Sequence, residues 1–153
     1  VIATVVRSGK DLYWLDVQRG HWEFPELVQR VMDARDVHGQ PILIEETAWA
    51  KPLIQTLSRK VSGVVPFKIE GKSKMTRALA VSPYQEAGNF YLPRRASWLG
   101  EFIEEHAAFP NGSHDDMVDT TSMAGLRLLA GRGLKLTDKR PDATVWGAPR
   151  IYR

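Results

Sequence analysis

The chain opens with two β-rich apolar runs, residues 1–6 and 12–20, joined by the glycine-containing segment 7–11. Extended runs joined in this way predict a hairpin. Residues 24–36, FPELVQRVMDARD, place Leu27, Val28, Val31 and Met32 on one face at the helical period, with Pro25 suited to a first turn. Gly39 and Pro41 interrupt the pattern, and residues 42–46, ILIEE, read as a buried strand whose apolar run ends in acid. Residues 51–60 predict a short amphipathic helix beginning near Pro52, and 63–69 a short strand. Residues 72–88 predict a helix disturbed at Pro83 and stopped by Gly88. An extended piece at 89–93, a helix at 96–109 and a last helix at 115–130 complete the pattern. From Gly131 it fades into a Gly-, Pro- and Arg-rich stretch. The expected organisation is one domain over 1–130 followed by a basic, extended or flexible tail over 131–153. A hairpin followed by alternating helices and strands predicts an α/β fold, a mixed β-sheet with helices on both faces.

Composition narrows the classes. The 153 residues are 43% hydrophobic and 25% charged, ordinary for one soluble globular domain with a real core. No apolar run approaches the roughly 20 residues of a membrane span, and no signal-peptide pattern opens the chain, so no membrane partner is expected. Zero cysteines removes disulfides, thiolate metal sites and cysteine nucleophiles together, and fits a cytoplasmic setting. The net charge of +3 suits a polyanion partner and serves solubility equally well. Basic residues gather at Lys68, Lys72, Lys74 and Arg77, at Arg94 and Arg95, and from Arg127 to Arg140. Acidic points set among such segments are what a metal-dependent nuclease needs, although a mixed solvated surface has the same look.

Two acidic stretches carry candidate chemistry. Glu45 directly follows the apolar run Ile42–Leu43–Ile44, at the strand exit where α/β proteins bind ligands. Glu46 must face the opposite side of the strand. In FPNGSHDDMVDTTSMA, residues 109–124, Asp115, Asp116 and Asp119 crowd the start of the last helix. Their spacing puts them on one face and leaves Val118 and Met123 to pack inward. Capping and the helix dipole explain one aspartate well and two adequately. A hard divalent cation explains all three, because it favours ionised carboxylates over their mutual repulsion. His114 beside them is a candidate to orient a carboxylate or a water. No Ser/His/Asp arrangement and no glycine-rich phosphate loop is legible.

Taken together, the stretches YWLDVQRGHWEFPELVQRV, ILIEETAWAKPLIQTL, KSKMTRA and EAGNFYLPRRASWLGEFIEEHAAFPNGSHDDMVDTTSMA resemble the C-terminal nuclease domain of the terminase large subunit of tailed bacteriophages. The match covers most of residues 11–125, and its last motif is the most specific. The resemblance implies an RNase H-like fold and cleavage of concatemeric double-stranded DNA during genome packaging, by a two-metal site holding Mg²⁺ or Mn²⁺. Carried over by position, Glu45 and Asp116 are the implied catalytic and metal-binding acids. Asp115 and Asp119 are neighbours that bind metal or position water, and an aspartate pair of this spacing is also similar to Holliday-junction resolvases. Lys74 and Arg77 stand where the family has a Lys/Arg pair and are assigned to DNA phosphates, with His114 in support.

The family's partners would be an upstream ATPase domain, a portal and a small terminase subunit, in the cytoplasm of a bacterial host. In that family the first metal-binding aspartate lies on a central strand before the hairpin, and neither Asp11 nor Asp16 matches it. The expectation is therefore a fragment with little activity of its own. Two other functions stay open: a prophage remnant that binds DNA or assembles without cutting, and a junction-specific nuclease.

Overall fold

The computed structural model describes residues 1–39, 41–69, 71–130 and 146–147, with residues 130, 146 and 147 described by backbone alone. The tail expected over 131–153 lies outside them apart from that two-residue segment. The fold is mixed α/β, with five α-helices and both parallel and antiparallel strand pairs among the described residues. These fall into two compact units, one of residues 1–19 and from 73 onward, the other of residues 20–72.

In the first unit, β1 (Ile2–Ser8) and β2 (Asp11–Gln18) form the expected hairpin, antiparallel from Ile2 opposite Gln18 to Ser8 opposite Asp11. Gly9 turns the corner at φ +59°, a left-handed conformation that glycine adopts without steric cost. On its other edge β2 pairs in parallel with β5 (Phe90–Pro93), Leu12 opposite Phe90 and Tyr13 opposite Tyr91. A short β6 (Trp146–Gly147) closes the sheet antiparallel to β5. The consecutive burial of Leu12, Tyr13 and Trp14 follows from that central place, where both faces of a strand are covered. Asn89 fixes the register: its carbonyl accepts from the Leu12 N–H at 2.8 Å, and its amide donates to Asp11 at 2.8 Å.

Three helices complete this unit, α3 (Lys74–Glu86), α4 (Leu99–Ala108) and α5 (Asp116–Gly125). Their apolar faces send Val81, Phe102 and Met117 into one core with Leu12, Trp14, Val17, Phe90 and Leu92. Trp14 is its centre, fully buried, with ring centroids 4.7 Å from Phe90 and 6.0 Å from Phe102. Helices α3 and α5 approach so closely that a Cβ on Gly125 would fall 2.4 Å from Val81 Cγ1. Pro83 does not end α3. The Leu79 carbonyl that its missing N–H would have bonded instead accepts from the Ser82 hydroxyl at 3.2 Å. The helix expected over 115–130 is divided, since α5 passes at Leu126 into a five-residue π turn, Leu126–Ala130.

The second unit is a βαβ element preceded by a helix. Helix α1 (Phe24–His38) buries Val28 and Val31 and stops at Gly39, whose φ is +88°. Strands β3 (Ile42–Glu45) and β4 (Val64–Phe67) pair in parallel, Ile42 opposite Val64 and Glu45 opposite Phe67. A parallel pair needs a crossover, and α2 (Lys51–Lys60) supplies it. Leu57 of α2 is fully buried, an apolar contribution of about 2 kcal/mol.

Candidate functional site

The aspartate cluster sits where α3 meets the beginning of α5. Ser73 caps α3, its hydroxyl accepting from the Thr76 N–H at 3.1 Å, and this start puts Lys74 in the first turn and Arg77 one turn later. Lysine is poorly placed at a helix N-terminus, where the dipole favours acids. The α5 carboxylates compensate. The Lys74 ammonium donates to Asp115 Oδ1 at 2.6 Å and lies 2.9 Å from Asp119 Oδ2. Arg77 Nη2 donates to Asp119 Oδ1 at 3.0 Å. Burial pulls the Lys74 pKa down, but the hydrogen bonds and charges of Asp115 and Asp119 outweigh it, and the net shift is upward from 10.5. The repulsion expected of three close aspartates is thus met by two cations of the chain itself.

The two cations are not equivalent. The Lys74 side chain is 46% exposed, so its pair with Asp115 contributes at most about 1 kcal/mol. The Arg77 side chain is only 3% exposed and faces Asp119 at 16%. The Arg77 guanidinium, expected from the sequence to contact DNA phosphates, is thus buried and turned toward Asp119 in the α3–α5 contact. Asp119 shows both carboxylate oxygens engaged by these cations, while Asp116 is exposed. His114 is also exposed, in the loop before α5, and among the described residues it makes no hydrogen bond to the cluster. Val118 and Met123 are buried as their spacing predicted.

Two residues at this site carried no sequence expectation. Glu105 of α4 is 7% exposed, and its Oε1 accepts from the Met117 N–H at 2.5 Å and the Val118 N–H at 3.3 Å. Its Oε2 pairs with Arg19 at 3.1 Å. His106 bridges the same helices, with Nδ1 2.7 Å from the Phe102 carbonyl and Nε2 2.9 Å from the Thr121 hydroxyl. The carbonyl requires a donor, so Nδ1 carries the proton and Nε2 accepts from Thr121. Burial lowers the His106 pKa below 6.5, only partly countered by Phe102 and Glu105. The available signal was position: Glu105 follows Phe102 by three residues and shares its buried face.

Glu45 lies in the second unit as the last residue of β3, partly buried, and the following Glu46 is exposed. The Glu46 N–H donates to the Phe67 carbonyl at 2.8 Å, which extends the ladder to the strand exit. The turn beyond it is held by Ala50 N–H donating to the Thr47 hydroxyl at 3.2 Å. At its tip Trp49 is 92% exposed.

A family model described as the terminase RNase H-like domain matches residues 2–128. The chain belongs to this family. No curated protein and no solved structure matches it. The matched span runs from β1 into the π turn, so the whole aspartate cluster and the β3 exit are inside the terminase RNase H-like domain. Membership supports a terminase nuclease-type role with DNA and packaging partners in general. No described helix is long and apolar enough to cross a membrane.

RNase H-like nuclease domains generally use divalent metals, and carboxylates are the right ligands for a hard cation. Among the described residues, however, no three His, Asp or Glu side chains stand together as a metal cage. Asp115 and Asp119 already face Lys74 and Arg77. The acids fit such a cation in chemistry and fall short of it in available oxygens.

Proposed function

We propose that this chain is the DNA-cutting domain of a phage or prophage packaging terminase, a divalent-metal-dependent endonuclease hydrolysing phosphodiester bonds of double-stranded DNA. The observation that carries the proposal is the acidic start of α5, exposed at Asp116 and charge-balanced from α3, inside a terminase RNase H-like domain. A divalent cation bound at such carboxylates would supply Lewis-acid charge and an activated water. The chain's own part is to present Glu45 at the β3 exit and Asp116 at the first turn of α5, with Asp115 and Asp119 held beside it. Lys74, half exposed, remains a phosphate contact, and Lys68, Lys72, Arg94 and Arg95 are exposed to grip the backbone without reading sequence. Trp49 offers an indole face in the turn after Glu45.

Incubation of the chain with plasmid and Mn²⁺ tests this. Weak shortening of the DNA is expected, since neither Asp11 nor Asp16 matches the family's first metal-binding aspartate, and it should be abolished by Glu45→Ala or Asp116→Ala while both variants still retard DNA. Metal-dependent cutting that survives either substitution would defeat the assignment of these acids.

One observation favours a second reading. Two of the three aspartates face internal cations, and no three-carboxylate cage is present among the described residues. Those facts suit a prophage remnant that binds DNA or assembles without cutting. The same mixture separates the two, because such a module retards plasmid at every Mn²⁺ concentration and never shortens it.

A further inference from the structure

The first turn of a helix leaves N–H groups without intrahelical partners, and the residue before the helix usually satisfies them with its side chain. Asp115 occupies that place in α5 and makes no such bond. Its carboxylate is turned to Lys74 instead. The orphaned N–H groups of Met117 and Val118 are taken by Glu105, which reaches them from α4. Those are the second and third residues of α5, the positions a local cap would serve. A buried carboxylate persists only where its charge is met, and Arg19 meets the second oxygen at 3.1 Å. His106, the next residue of α4, ties the same two helices through Thr121.

We infer that Glu105 is a positioning residue of the acidic site: it caps α5 from outside, which releases Asp115 and Asp116 from capping and fixes the direction in which they project. The inference rests on the proposed metal-dependent reading, and it concerns a carboxylate that does not itself reach the solvent side of the cluster. Without Glu105, Asp115 is the nearest side chain able to cap α5. Its rotation toward Met117 and Val118 gives up the Lys74 contact and the orientation of the neighbouring Asp116. Gln at this position keeps an oxygen for both N–H groups but sets an amide NH₂ where Oε2 accepted from Arg19, so it loses that acceptor as well as the charge.

The test uses the full chain with Mn²⁺ alone as probe. Mn²⁺ affinity is measured by titration calorimetry, and amide exchange at Met117 and Val118 by NMR, for wild type, Glu105→Ala, Glu105→Gln and Val28→Ala, Val28 being buried in α1. The last is a core change that lowers stability without touching the cap. Glu105→Ala is expected to lose exchange protection at both amides and to bind Mn²⁺ roughly 10–100-fold more weakly, the usual effect of removing a group that orients ligands. Glu105→Gln should regain part of both, and Val28→Ala should bind as wild type does. Wild-type affinity in Glu105→Ala, or equal weakening in Val28→Ala, would overturn the positioning role and leave the nuclease reading standing. A wild-type chain that binds no Mn²⁺ overturns both, and is recognised by the absence of heat before any variant is compared.

Discussion

Removing the Asp119 carboxylate asks whether that acid is held for the fold or for a ligand. In Asp119→Ala, Arg77 loses a counter-ion that its Nη2 reaches at 3.0 Å, at a site where its side chain is only 3% exposed to water. Breaking a buried ion pair by deleting one partner costs about 3–5 kcal/mol. Asp119 is itself 16% exposed, which places the expectation at the lower end, about 3 kcal/mol. The lost Lys74 contact adds little, because Lys74 is half exposed and keeps Asp115. For a chain of this size about 3 kcal/mol corresponds to a fall in Tm of roughly 6–12 °C. Urea unfolding in EDTA, followed by tryptophan fluorescence, measures the change with no metal present. The double variant Arg77→Met, Asp119→Leu should recover most of it, since a well-packed apolar pair replaces a buried ion pair at little cost. If Asp119→Ala unfolds within about 0.5 kcal/mol of wild type, the Arg77–Asp119 pair does not hold α3 to α5.

Other outcomes follow from neighbouring features. Gly125→Ala should destabilise by about 1–3 kcal/mol, read as a lower urea midpoint, because its methyl would meet the branched Val81 side chain at 2.4 and 2.8 Å. His106 is held neutral with its pKa lowered, so the unfolded chain binds the extra proton first. The His106 contribution is therefore complete above pH 6.5 and is lost as pH falls through the folded value. Tm scans from pH 7.5 to 5 should fall less steeply for His106→Gln, and equal slopes would remove His106 as the cause.

The hairpin, the five helices and the carboxyl-end place of Glu45 were legible because each rests on local periodicity. Leu27, Val28, Val31 and Met32 needed only the helical period, and Glu45 needed only the end of an apolar run. Pairing partners were less visible. The parallel match of β2 with β5 joins segments more than seventy residues apart, and no feature of NFYLP names its neighbour. At the site, the crowding of Asp115, Asp116 and Asp119 was plain, but the source of the compensating charge was not. Lys74 and Arg77 share one basic segment, and sequence alone assigns both outward. The burial of Arg77 depends on how closely α3 meets α5, set in turn by Gly125 and Val81. Glu105 was hidden for a similar reason. A carboxylate among Glu101, Glu104 and Glu105 reads as surface until the helix start that consumes it is in place.

The balance of charge at α5 bears directly on how such a site could meet DNA. Three bare carboxylates would repel a phosphate backbone at the place where cutting requires its approach. With Lys74 and Arg77 in contact, three carboxylates against two cations leave a net charge of one negative. That residual charge falls on Asp116, the exposed member of the cluster, while Asp119 is withdrawn into the α3–α5 contact. On the proposed nuclease reading a division of labour among like residues follows: Asp119 ties α5 to α3, Asp115 retains Lys74, and Asp116 is the carboxylate left to meet a ligand. Substitution at Asp119 should therefore be felt first in stability and substitution at Asp116 first in cutting, although the two aspartates stand three residues apart on one face of a single helix.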